Sequence, residues 1–276
     1  MKRANEALLT GLLTCLLTCL LAGAATGADA PDPAEPDPSQ EVRVPIVVEL
    51  FTSQGCSSCP PADRLLSHIA ELAGPGVEPL TLAFHVDYWD RLGWRDPFSS
   101  PEWSARQSRY AQAFGSNRVY TPQLVVDGRL ETVGSDERAV RRLLAEATHG
   151  PRGEIALEAR LGPRTLTIDA SAALAASLAE APCELMVAVV ESGLVTEVES
   201  GENEDRRLAN DAVVRQLERL GTVVPGAAPI QVEGFTLRLA KTWSQDRLEI
   251  VAWLQDPQTM AILGGARARP AASRGE

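Results

Sequence analysis

An apolar, β-branched run, Val44 to Phe51, leads within five residues into Cys56-Ser57-Ser58-Cys59, and Pro60 then opens a helical spacing of Leu65, Leu66, Ile69 and Leu72. A Cys-x-x-Cys between a buried strand and a helix constrains both fold and chemistry. The first cysteine falls at a helix N-terminus, where backbone N–H groups and the dipole favour a thiolate. A thiolate is the species that attacks disulfides. Cys56 is therefore the candidate nucleophile, and Cys59, about one turn into the helix, the candidate resolving thiol. Two plainer readings stand beside this one: an inert disulfide, or half of a metal site. A zinc site wants two further ligands at suitable spacing, and no second Cys pair or His pair occurs.

The elements that follow alternate. Leu80 to Val86 reads as a strand and Pro101 to Phe114 as a helix opened by proline. Gln123 to Val126, Asp127-Gly128 and Leu130 to Val133 read as a β-hairpin. Asp136 to Ala147 closes the series as a helix with acids in its first turn. The order β-α-β-α-β-β-α is that of a thioredoxin fold, expected over residues 43–150. In such folds a Thr-Pro pair just before the hairpin carries a cis peptide bond, offering backbone groups to a substrate chain. Thr121-Pro122 stands at that place, and cis bonds are essentially confined to X-Pro. Thr121 and Pro122 are accordingly the candidate substrate-positioning residues.

Beyond Gly150-Pro151 the texture changes to short strand-like segments separated by Gly-Pro, Asp-Pro and Gly-Gly turns. Residues 154–266 read as a smaller, mainly-β, sandwich-like domain. One helix is expected from Leu208 to Leu220, where Val213, Leu217 and Leu220 share a face. Residues 267–276 read as a disordered tail. The fold class is α/β: a thioredoxin-like domain followed by the smaller β domain.

The N-terminus sets the compartment. Lys2 and Arg3 precede an apolar run from Leu8 to about Ala25, and small residues cluster from Ala22 to Ala28. That order predicts a signal peptide over 1–28 and an exported, periplasmic or secreted, protein. Cys19 gives a minor lipid-anchor alternative, weakened by Thr18 just before it. Residues 29–42 are acidic and Pro-rich and read as a solvated linker. Removing the signal leaves Cys56, Cys59 and Cys183 of five cysteines. The formal net charge of −11 argues against nucleic acid as a partner, because phosphate binding needs clustered Lys and Arg. No stable membrane insertion is expected once the signal is cleaved.

Phe51-Thr52-Ser53-Gln54-Gly55-Cys56-Ser57-Ser58-Cys59-Pro60-Pro61-Ala62-Asp63 resembles the signature of a secreted bacterial thioredoxin-like family of unknown function. Phe84 to Asp90, Gly93-Trp94, Asp96-Pro97-Phe98, Tyr120 to Gln123 and Val126-Asp127-Gly128 match it too. Gly201-Glu202-Asn203 and Asn210 to Arg215 carry a fainter echo. The resemblance implies a fold and export but no established reaction. In thioredoxin relatives an acid is often buried near the depth of Glu49, relaying a proton to the resolving cysteine, although the spacing to Cys56 is slightly long here. His85 and Asp87 alternate on one side of their strand and could line the site. Trp89, with Tyr88, Trp94 and Phe98, could form a wall or lid, or simply pack an inserted loop. Cys183 reads as a buried spare thiol.

The expected activity is an exported thiol–disulfide oxidoreductase acting on protein or small-molecule thiols and disulfides with an external redox partner, and it calls for no cofactor. The alternatives are a metal-handling scaffold using Cys56, Cys59 and His85, or an exported binding or structural protein whose disulfide is inert.

Overall fold

A computed structural model describes residues 43–150 and 152–272. The expected signal peptide, the whole of the expected linker (29–42), Pro151 and the last four residues lie outside them. Strand β1 (Val44–Thr52) is central to an eight-stranded mixed sheet and buried from Ile46 onward. It runs parallel to β2 (Val77–His85) and antiparallel to β3 (Gln123–Val126). Burial on both faces explains the continuous apolar run. Ile46, Val48 and Leu50 face helix α1 (Pro60–Ser67), helix α2 (Ile69–Leu72) and helix α4 (Glu137–Ala147) through Ala62, Leu66, Ile69, Val140 and Leu144. Val47 and Phe51 face helix α3 (Pro101–Ala113) through Trp103 and Tyr110.

Local chemistry sets the helix ends. Pro60 and Pro61 start α1, where a missing N–H costs nothing. Ser100 caps α3 by accepting from the Glu102 N–H, and Asp136 caps α4 by accepting from Ala139. The hairpin forms as expected, with β3 turning into β4 (Leu130–Val133). Its turn uses left-handed Asp127 and Gly128; a Cβ on Gly128 would lie 2.0 Å from the Met260 carbonyl oxygen, so this glycine is sterically required.

The remaining strands are β5 (Glu154–Leu161), β6 (Thr165–Ala173), β7 (Cys183–Glu191), β8 (Leu194–Glu197), β9 (Arg207–Asn210), β10 (Val213–Val223), β11 (Ile230–Arg238), β12 (Leu248–Gln255), β13 (Ile262–Ala268) and β14 (Ala271–Ala272). Sheet order is β13-β12-β7-β10-β2-β1-β3-β4, with a second sheet β11-β6-β5-β14 and a small β8-β9 hairpin. The second sheet packs on the first through Leu166 and Ile168 against Leu185, Val187, Ile250 and Ala252. Each of these buried Leu, Ile and Val side chains is worth about 1.5–3 kcal/mol.

Three expectations change. The helix at Leu208–Leu220 is instead β9 and β10. Register shifts at Val214/Gln216 and Arg219/Gly221 break the period-two pattern and leave apolar residues at helix-like spacing. The two stretches meeting at 150–154 share one sheet: β10 joins β2 at Val213 and Ala83, where the Ala83 N–H donates to the Ala212 carbonyl at 2.7 Å. Gly153 is pinned as well, its N–H donating to the Leu263 carbonyl at 2.8 Å. The change of texture therefore marks no break in packing. Of the expected tail, 267–272 are ordered: β13 runs to Ala268, and β14 pairs with β5.

Candidate functional site

Cys56 and Cys59 form a disulfide with Cα atoms 5.4 Å apart. Cys59 occupies the N-cap of α1 in helical conformation, and its carbonyl accepts the Ala62 and Asp63 N–H groups at 2.8 and 3.1 Å. The motif is framed by a tight turn in which the Cys56 N–H donates to the Ser53 carbonyl. The Cys56 sulfur lies 3.3 Å from the Ser58 hydroxyl. Both cysteines are 0% exposed, whereas Ser57 and Ser58 face solvent.

The Thr121–Pro122 peptide bond is cis. Thr121 Oγ1 accepts from Trp89 Nε1 at 2.8 Å. The same tryptophan packs on Gly55, where an added Cβ would fall 3.2 Å from Trp89 Cβ. Trp89 thus ties the cysteine turn to the proline loop. Pro122 approaches α1 at Gly134, whose added Cβ would meet Ala62 at 3.2 Å and Pro122 at 3.4 Å.

His85 is fully buried, with Nδ1 2.7 Å from Asp96 Oδ2. Asp96 also accepts the Gln54 N–H at 2.7 Å, which links the imidazole to the cysteine turn. Burial works against ionising both groups. For His85 the Asp96 carboxylate, with Asp63 beyond it, outweighs burial and raises the pKa. For Asp96 the His85 charge and hydrogen bonds from His85, Gln54 and Phe98 outweigh it and lower the pKa. Asp63 lies four residues after Cys59 on the same helix face and accepts from the Thr52 hydroxyl at 2.7 Å. Its burial prevails over the opposing His85 charge and Thr52 hydrogen bond, and its pKa is raised to about 6.

That shift has a sign. A carboxyl whose folded pKa lies above its ordinary 3.8 stabilises the fold at low pH. The contribution is lost as pH rises from about 4 to 6, leaving a cost of about 3 kcal/mol above that window. Asp63→Asn should therefore be more stable than the parent above pH 6 and converge with it below pH 4. Urea unfolding at intervals of one pH unit checks this; a pH-independent difference would place Asp63 outside the ionisation argument.

Two sequence candidates fall elsewhere. Glu49 lies on the α3 face, with Arg106 Nε 2.6 Å from Oε1 and the Tyr110 hydroxyl on Oε2. Asp87 does not follow His85, because β2 ends at His85; its carboxylate accepts from the Ser104 hydroxyl on α3. Among the described residues, no group of three or more His, Cys, Asp or Glu could hold a metal ion. Cys183 is buried and unbridged.

The sequence reading missed Asp63 and Asp96 as site residues. It also missed the 198–206 loop between β8 and β9. Asn203 is buried there, and its Nδ2 donates to the carbonyls of Gln54 (2.8 Å) and Cys56 (2.9 Å). Glu202 Oε2 accepts the Ser57 N–H at 3.0 Å, and the Ser200 hydroxyl donates to the Gly93 carbonyl at 2.6 Å. Gln54 Nε2 completes the seam by donating to Asn210 and Thr196. The faint Gly201-Glu202-Asn203 echo was its one sequence signal.

A family model described as "Protein of unknown function (DUF1223)" matches residues 47–255. The crystal structure of protein AGR_C_4864 from Agrobacterium tumefaciens is similar at 27% identity and a TM-score of 0.62, covering 85% of this chain and 98% of that one. HBP35 of Porphyromonas gingivalis shares the fold at 12% identity and a TM-score of 0.65, covering 85% and 78%. No curated protein matches the chain.

Proposed function

The chain belongs to the DUF1223 family of proteins of unknown function, and we propose that it is an exported thiol–disulfide oxidoreductase working on a thioredoxin-like arrangement of β1 to β4 and α1 to α4. The observation that carries the reading is the Cys56–Cys59 disulfide at the start of α1, with cis Thr121–Pro122 joined to the same turn through Trp89. Export rests on the N-terminal sequence pattern, and no described helix is long and apolar enough to cross a membrane.

In the reducing direction, a thiolate of the external partner attacks the Cys56 sulfur and breaks the Cys56–Cys59 bond. Cys59 leaves as a thiolate and takes a proton. A second partner thiolate then attacks the partner's sulfur of the mixed disulfide and leaves with it as the partner's disulfide. This releases Cys56 as a thiolate, so two electrons and one proton enter the pair. In the forward half, the Cys56 thiolate opens a substrate disulfide, and Cys59 resolves the mixed disulfide after losing its proton. Asp63, one turn beyond Cys59 on the same face, is the acid placed to exchange that proton, in the role first expected of Glu49. Thr121 and Pro122 position the substrate chain, and Trp89 lines the site.

The full burial of both sulfurs favours a second reading, an inert staple. The reduction potential separates them. A working couple equilibrates with a glutathione buffer near the poise of an oxidising compartment, whereas a structural disulfide lies below about −300 mV. A value in that lower range would overturn the oxidoreductase reading.

A further inference from the structure

Glu202 comes from the far half of the chain, yet its carboxylate sits on the N–H of the residue after Cys56. Hydrogen bonds from Ser57, hydroxyl and backbone N–H alike, hold it below the usual carboxylate range, so it is ionised at neutral pH. Its neighbour Asn203 fixes the loop to the turn through two carbonyls, and Gly201 adopts φ 82° against Trp94. The carboxylate is thus presented to the cysteine motif by an anchored loop, not by chance on a free surface.

Within the motif the Cys56 and Cys59 N–H groups donate to the Ser53 and Cys56 carbonyls, which leaves those of the two serines, at the start of α1, as the donors a Cys56 thiolate would use. With Glu202 on the Ser57 N–H, one donor is taken, and a negative charge is held on the residue next to the one where a second would form. The neutral disulfide feels neither penalty. We propose that Glu202 is a positioning residue of the couple: it occupies the Ser57 N–H and, by its charge, biases the Cys56–Cys59 pair toward the disulfide. This rests on the oxidoreductase reading above. The reaction it biases is the two-electron exchange in which a dithiol such as dithiothreitol becomes its cyclic disulfide, while the Cys56–Cys59 bond opens and takes up two protons, the Cys56 proton then being released in proportion to thiolate stability.

The test is a charge series, Glu202→Gln and Glu202→Lys, with Glu204→Gln on the same loop as a control for net charge. Alkylation of Cys56 in the reduced proteins is followed against pH by mass spectrometry, and oxidised protein is equilibrated with dithiothreitol. The midpoint of alkylation should move to lower pH in the order Glu, Gln, Lys. At pH 7 the Gln variant should react about twofold to fivefold faster, as expected for one nearby exposed charge. The dithiothreitol equilibrium should shift toward the dithiol in the same order. The effect should shrink from about 0.01 M to about 1 M salt, where the screening length falls from about 30 to about 3 Å. A loop acting only as a cover would instead raise rates at every pH without moving the midpoint, and that result, or an equal shift in Glu204→Gln, would overturn the proposal. If native parent protein exchanges with dithiothreitol but the series is flat, only the role of Glu202 fails. If the parent does not exchange at all, the oxidoreductase reading fails with it.

Discussion

Cys59→Ser should accumulate covalent mixed disulfides with substrates, and Cys56→Ser should accumulate almost none. The expectation follows from where each sulfur stands. Cys56 precedes α1, beside the Ser58 hydroxyl and next to the outward-pointing Ser57 N–H. Cys59 is the N-cap of α1, and not a turn inside it as the sequence reading expected; it lies one turn before buried Asp63 on that helix face. Both cysteines are buried, and Asn203 of the 198–206 loop holds the Cys56 carbonyl, so an incoming disulfide is expected to reach Cys56 where that loop yields. Without Cys59 the adduct on Cys56 has no internal thiol to release it, so it persists. Without Cys56 there is no nucleophile, and turnover should fall by more than about a hundredfold. Non-reducing gels and mass spectrometry of exported protein read both outcomes. Equal trapping by the two variants, or none by either, would leave the disulfide as a structural link.

What could be read from the chain beforehand followed the range of each interaction. The cysteine turn, the proline start of α1 and the Asp-Gly hairpin are decided by residues within a few positions of one another, and they were legible. Glu49 was ambiguous because Val47 and Phe51 on its own face are as apolar as Val48 and Leu50 on the other. Alternation alone could not say which face held the cysteines. His85 was visible, but its meaning depends on Asp96, which reaches it across an inserted loop. The hidden part of the site is the seam made by Glu202 and Asn203, about 145 residues beyond the turn they contact. Nothing in the local pattern of a polar Gly-Glu-Asn loop reveals a partner so distant. β10 failed for a different reason: its irregular pairing disguises a strand as a helix face.

The largest effect on stability should come from the residue that binds Glu49. Arg106 is buried with its Nε 2.6 Å from Glu49 Oε1, while Nη2 donates to Gln255 at 3.1 Å. Its guanidinium lies 5.3–5.4 Å from the ring centres of Phe84, Tyr110 and Trp253. Arg106→Ala removes the stacking and leaves a carboxylate inside the core with only the Tyr110 hydroxyl against it. Breaking a buried pair from one side costs about 3–5 kcal/mol, a large share of the 5–15 kcal/mol available to a typical domain. Glu49→Gln strands the guanidinium instead and should cost a comparable amount. The double change Glu49→Gln with Arg106→Met removes both charges, keeps most of the volume and should recover the greater part of the loss, because a buried pair is costly to break but cheap to replace. Urea midpoints of the four proteins complete the cycle, and a cost below about 1 kcal/mol for Arg106→Ala would show the pair to be solvated. The same proteins decide the place of Glu49 in the chemistry. In folded Glu49→Gln the pH profile of Cys59 should be unchanged, because the carboxylate is committed to α3 on the opposite face of β1, whereas Asp63→Asn should move it.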